Sequence, residues 1–87
     1  MGYITYLNLS QVLRRKGGSR SLLYAEIKDG RFPPPLKLGL RRVGWPQHEI
    51  DALLEFYLLD KDQTELKNFV SKLQVSRRRE VKNEQDL

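Results

Sequence analysis

Glycine and proline divide the stretch SRSLLYAEIKDGRFPPPLKLGLRRVGW, residues 19–45, into a helix that must stop and a ribbon that cannot be helical. Asp29-Gly30 closes the first part. Arg31-Phe32-Pro33-Pro34-Pro35 follows, and proline lacks the N–H of a helical ladder and drives the preceding residue towards extended backbone. Ser19 is placed to cap the helix, with Leu22, Leu23 and Ile27 as its buried side. Arg20, Tyr24 and Lys28 recur at i, i+4 and i+8 and share one face, while Leu23 and Ile27 lie on another. One apolar side for a core and one basic, aromatic side for a partner is what a helix needs to enter a DNA groove.

The ribbon continues the same logic. Phe32 is expected to turn into the core from an extended crossing segment. A proline-rich ligand for an SH3-type partner is the alternative reading of the three prolines. Leu36-Lys37-Leu38 and Val43-Gly44-Trp45 read as two short strands joined by Gly39-Leu40-Arg41-Arg42. Such a hairpin is a wing, with Leu36, Leu38, Val43 and Trp45 facing the helices and its basic tip outward.

Upstream, Tyr3 to Leu9 is an extended run suited to an edge strand or to pinning the N-terminus. A short helix is expected from about Ser10 to Lys16, ended by Gly17-Gly18. Two short helices about a glycine turn form a helix-turn-helix. Downstream, Pro46 opens a third helix running to about Leu59, with Ile50, Leu53, Leu54, Tyr57 and Leu58 as its apolar stripe and Glu49, Asp51 and Glu55 outside it. Asp62-Gln63-Thr64-Glu65 has the form of a capping box, and Leu66, Phe69, Val70 and Leu73 follow at helical spacing. The segment VSRRREVKNEQDL is polar and lacks a stripe. The expected organisation is a winged helix-turn-helix over residues 1–60, an added amphipathic helix over 61–74 and a disordered tail over 75–87. The fold class is mainly α with a small two-stranded wing.

Charge supports the same division. The 87 residues carry +5 overall. Residues 1–45 hold nine Lys/Arg against Glu26 and Asp29, a net +7, while residues 46–87 net −2. A basic half attracts phosphate backbones by counterion release, although a solvated basic surface has the same composition. The chain has no cysteine, which excludes disulfides and Cys-ligated zinc and suits a reducing compartment. No apolar run approaches the roughly 20 residues that span a bilayer, and no secretory leader is recognisable. His48 with Glu49 beside it provides neither a metal set nor a triad. No catalysis, cofactor, metal, membrane contact or small-molecule substrate is expected.

The order of these motifs resembles the AlpA family of small prophage and genomic-island regulators, related to phage excisionases and to the winged-helix part of MerR-type regulators. The resemblance is carried by Ser19-Arg20-Ser21 with Leu23-Tyr24, by Ile27 before Asp29-Gly30, and by Phe32-Pro33. It continues through Lys37-Leu38-Gly39, Arg42, Gly44-Trp45 and Glu49-Ile50-Asp51, covering roughly residues 7 to 58. It implies a winged helix-turn-helix that binds specific double-stranded DNA, in the cytoplasm of a bacterial host and associated with its nucleoid. It also implies a role as transcription regulator or as recombination directionality factor, with an integrase and neighbouring copies of itself as further partners. The implied recognition-helix positions are Arg20, Ser21, Tyr24 and Lys28, and the implied wing positions are Lys37, Arg41 and Arg42.

For individual residues, two readings stand side by side. Arg20 suits a guanine edge or a phosphate, against an ordinary surface arginine; Lys28 suits a phosphate. Tyr24 either reaches DNA or tucks beneath the wing. Arg41 and Arg42 suit a phosphate ridge or a narrow minor groove, with strand alternation leaving room for only one to point there. Leu23, Ile27, Phe32, Trp45, Ile50 and Leu54 form the expected core, with base stacking the alternative for Trp45. Arg77-Arg78-Arg79 reads as a solvated tail or a second phosphate contact. The stripe Leu66, Phe69, Val70 and Leu73 is to be buried either in its own domain or against a neighbour. In the second case the chain could instead be a protein–protein adaptor. RNA binding lacks the sheet-borne stacking aromatics of single-strand readers.

Overall fold

The computed structural model describes residues 4–85, and their side chains over residues 4–77. Its elements in chain order are β1 (Tyr6–Leu7), α1 (Leu9–Lys16), α2 (Arg20–Lys28), β2 (Leu36–Lys37), β3 (Val43–Pro46), α3 (Gln47–Tyr57) and α4 (Gln63–Gln85). This is a mainly helical fold with a small antiparallel sheet, a winged helix-turn-helix with one helix added.

Helix α1 begins one residue earlier than the apolar spacing suggests because Asn8 caps it. The Asn8 carboxamide oxygen accepts from Gln11 N–H at 2.8 Å, and Gln11 Oε1 accepts from Asn8 N–H at 2.9 Å. Gly17 and Gly18 then take φ of +85° and +89°, backbone that an L side chain rarely adopts, and reverse the chain. Ser19 starts α2, its Oγ accepting from Leu22 N–H at 3.1 Å.

The sheet has order β1-β3-β2, so β3 is central rather than one arm of an isolated hairpin. Leu36 pairs with Gly44 and Lys37 with Val43 on one side, and Tyr6 with Pro46 and Leu7 with Trp45 on the other. The extended run expected from Tyr3 to Leu9 therefore contributes only two ladder residues; Tyr3 lies outside the described residues. Gly44 is squeezed between both neighbours. A Cβ there would come 2.7 Å from Leu38 Cδ1 and 3.2 Å from Leu7 O. Pro46 closes β3 and caps α3 instead of opening its first turn.

The core comprises Leu7, Val12, Leu23, Phe32, Trp45, Ile50, Leu53 and Val70, with Leu9, Leu13, Ile27, Val43, Leu54, Leu66 and Phe69 packed against it. Phe32 meets Trp45 edge-on with centroids 6.3 Å apart. The indole N–H of Trp45 donates to Pro33 O at 2.8 Å, so the largest buried side chain has its polar atom satisfied by the proline segment.

Four expectations change. Leu22 is not buried but 48% exposed, because Leu23 and Ile27 already occupy the narrow part of so short a helix that faces the core. The α3 stripe ends early: Tyr57 is partly exposed and Leu58 is 83% exposed, since the helix ends at Tyr57 and the chain turns away. Glu49, expected outside, is 1% exposed. Its carboxylate is held by Arg77, with Nε 2.7 Å from Oε2 and Nη2 2.6 Å from Oε1. For the same reason α4 does not stop near residue 74 but continues to Gln85, carrying Arg77 back onto α3. Arg77 is thus part of the body, while the side chains of Arg78 and Arg79 lie outside those described.

The stripe on α4 turns inward. Val70 joins the core, Leu66 and Phe69 pack on it, Leu73 is half-buried, and the Phe69 ring stacks on Phe56 at 4.4 Å. Of its two destinations, Leu66, Phe69 and Val70 take the one inside their own domain.

Candidate nucleic-acid interface

The ends of α2 are set by Ser19 and by the Asp29-Gly30 exit, and Leu23 anchors its inner side. Arg20, Ser21, Tyr24 and Lys28 all lie on its exposed surface, so the structure presents them from a single helix. Tyr24 is near the boundary, 37% exposed. Leu22 and Ala25, which charge-based reasoning passed over, are exposed on the same helix.

Lys37, Arg41 and Arg42 are also exposed, and Leu40 stands fully clear at the wing tip. The tip is held by Leu38 N–H donating to Arg42 O at 2.9 Å. Arg41 and Arg42 both border a groove of about 430 Å³ between the wing and the start of α1, with Asn8, Gln11 and Leu38 among its other walls. The two arginines therefore share one concavity, where strand alternation suggested that they would part.

Ion pairing sorts the cations of residues 1–45 into two sets. Arg15 contacts Asp51 at 3.2 Å and Arg31 contacts Asp29 at 2.7 Å. The Lys16 ammonium is 2.7 Å from Glu26 Oε1, a charge contact off the hydrogen-bonding direction that ties α1 to α2 in a half-buried position. Lys16 also lies 5.8 Å over the Phe32 ring. Among the described residues, Arg14, Arg20, Lys28, Lys37, Arg41 and Arg42 have no acidic partner. These include every basic position singled out from the sequence, plus Arg14, to which the sequence reading gave no role. The signal for Arg14 was present, since it sits in a run of three cations at the end of α1.

Acids avoid this surface. Glu26 and Asp29 are both engaged, and Asp29 also faces Lys67 of α4 at 3.8 Å. Nearby, burial and the negative charge of Glu26 push the Tyr57 phenol up to about 12, with Arg31 partly opposing them. Unpaired guanidinium and ammonium groups on an exposed helix and at a hairpin tip can bind phosphate and read base edges. Among the described residues no group of three or more His, Cys, Asp and Glu is placed to hold a metal ion, and no helix is long and apolar enough to cross a membrane.

Comparison with known proteins identifies a family. Residues 5–58 match the family model described as "Prophage CP4-57 regulatory protein (AlpA)", a span that includes α2 and the wing and ends before α4. The uncharacterized protein ORF88 of Enterobacteria phage P4 is 38% identical over 47 residues, which is 54% of this chain and 53% of that protein. The chain thus aligns with about half the length of that curated relative. No solved structure matches it.

Proposed function

The chain belongs to the AlpA family of prophage regulatory proteins, and from that premise we propose that it binds specific double-stranded DNA of a mobile element and directs excisive recombination. In this reading α2 enters the major groove. Arg20 and Ser21 meet base edges near its N-terminal turn, Tyr24 and Lys28 approach the backbone, and Lys37, Arg41 and Arg42 of the wing hold the adjacent strand. The groove between the wing and α1 receives phosphates, and Arg14 extends the basic surface.

The observation that carries the proposal is the sorting of charge. The cations on the outer surface of α2 and on the wing, together with Arg14 of α1, lack acidic partners among the described residues, while Arg15, Lys16 and Arg31 are paired. The second reading, control of transcription from a prophage or integrase promoter, uses the same contacts and is favoured by the word "regulatory" in the family description. An adaptor built on α4 has less support, because its apolar stripe is occupied within the domain.

Footprinting on the encoding element tests the proposal. Protection beside the attachment site, together with stimulated excision when integrase is added, is the expected result. Protection confined to a promoter favours the transcriptional reading. No preferred site anywhere on the element contradicts both.

A further inference from the structure

Leu22 stands out on the exposed surface of α2. It is an aliphatic side chain, 48% exposed, on the opposite flank of the helix from Arg20 and Tyr24. We infer that Leu22 is a specificity-determining residue that recognises the methyl group of a thymine in the major groove. The inference rests on the reading of α2 as the helix that enters DNA.

Helical geometry shows what Leu22 can reach. Ser21 and Ala25 are each two residues from the buried Leu23, which at about 100° per residue places both roughly opposite the core. They are short, so the helix can come close to whatever faces it there. Tyr24 and Lys28 flank this line on one side and Leu22 flanks it on the other. Leu22 is also held early in the helix, where its N–H donates to Ser19 Oγ, and its Cδ2 leans towards the turn, 3.3 Å from where a Cβ of Gly18 would stand. Glycine leaves that space open.

The chemistry of the groove then narrows the choice. Among the major-groove edges of the four bases, the thymine C5-methyl is the apolar group; the others offer donors and acceptors. A leucine pressed on a cytosine amino group or a guanine carbonyl would strip water from it and return no hydrogen bond. Leu22 therefore favours thymine by contact and disfavours G·C by desolvation. Burial of one methyl is worth about 0.8 kcal/mol, or about fourfold in affinity.

Replacing thymine by uracil deletes that methyl and leaves base pairing intact. A preferred duplex is first selected from random DNA with the full chain, and each thymine is then changed singly to uracil while binding is followed by fluorescence anisotropy. The expected result is at least one position where uracil weakens the wild-type protein about fourfold and where Leu22→Ala binds the two duplexes equally, with an unchanged melting temperature. A sensitive position that stays sensitive in Leu22→Ala, or no sensitive position on a clearly preferred duplex, overturns the inference and leaves the DNA-binding reading standing. Absence of any preferred duplex overturns both.

Discussion

Helices α2 and α4 are both one-sided, yet they use their charges in opposite ways. On α2, Arg20 and Lys28 face outward with no acidic partner among the described residues. On α4, Lys67 reaches Asp29, Arg77 holds Glu49, and Lys61 just ahead of the helix lies 3.9 Å from Glu65, which leaves Lys72 as the described cation there without an acidic partner. Positive charge alone therefore does not mark a nucleic-acid surface. What distinguishes the two helices is how far the protein's own acids already satisfy it. One helix is left for a partner, and the other braces the body behind it through Val70 and the Phe56–Phe69 stack.

The largest effect that probes this contrast lies in the body. Trp45→Ala removes a fully buried ring and its hydrogen bond to Pro33, and should cost about 3–5 kcal/mol in a urea melt. In so small a domain that is unfolding or close to it. A Trp45→Ala protein that keeps its stability and loses DNA binding would transfer the tryptophan from the body to the interface.

Next comes the bracing pair. Arg77→Ala strands the Glu49 carboxylate in a buried position, and breaking one partner of such a pair costs about 3–5 kcal/mol. Adding Glu49→Gln to Arg77→Ala should restore part of that stability, because the neutral amide is cheaper to bury. Affinity per folded molecule should not change. If Arg77→Ala weakens DNA binding at full stability, α4 contributes to the interface after all.

On α2 the pattern should invert. Arg20→Ala should leave the melt within about 0.5 kcal/mol, cost about 1–3 kcal/mol in affinity for the preferred duplex, and relax its sequence preference. Lys28→Ala should weaken all sequences alike. Competition binding with matched and scrambled duplexes separates the two outcomes.

The smallest effect concerns pH. The Tyr57 phenol rises from 10.0 in a free side chain to about 12 when folded, chiefly through burial and then through Glu26. The folded state thus favours the protonated form. The associated stability is complete below pH about 10 and is lost as pH climbs towards 12. Tyr57 is partly exposed, so solvent reduces the loss. Compared with wild type, Tyr57→Phe should show a shallower decline in melting temperature over that interval; parallel curves would count against the assignment.

Much of the interface half is written locally. Ser19, the glycine turn, Asp29-Gly30 and the prolines each act within a few residues, and they define α2 and the wing before any tertiary contact is known. The Asn8 cap is equally local, but the apolar spacing from Leu9 alone puts the start of α1 one residue late. What the sequence hid depends on distance along the chain. Glu49 reads as a surface acid until Arg77, 28 residues later, lies against it. The length of α4 follows from the same contact, since a polar segment shows no stripe of its own. Pairing of β1 with β3 joins residues about 40 apart. Leu22 is the instructive exception: its spacing fits a buried residue, and only the size of the patch already filled by Leu23 and Ile27 puts it outside.

The contrast between unpaired and paired cations is tested most directly by the salt dependence of binding. Two variants remove the same amount of charge: Lys28→Ala with Arg42→Ala, and Lys61→Ala with Lys67→Ala. The first takes cations without acidic partners from α2 and the wing; the second takes cations from the α4 region, where Lys61 and Lys67 are paired. Each phosphate contact contributes about 0.9 to the slope of log affinity against log salt. The account predicts that the first variant lowers this slope by about two and that the second leaves it near the wild-type value. Equal reductions in both, or a larger reduction in the second, would contradict it.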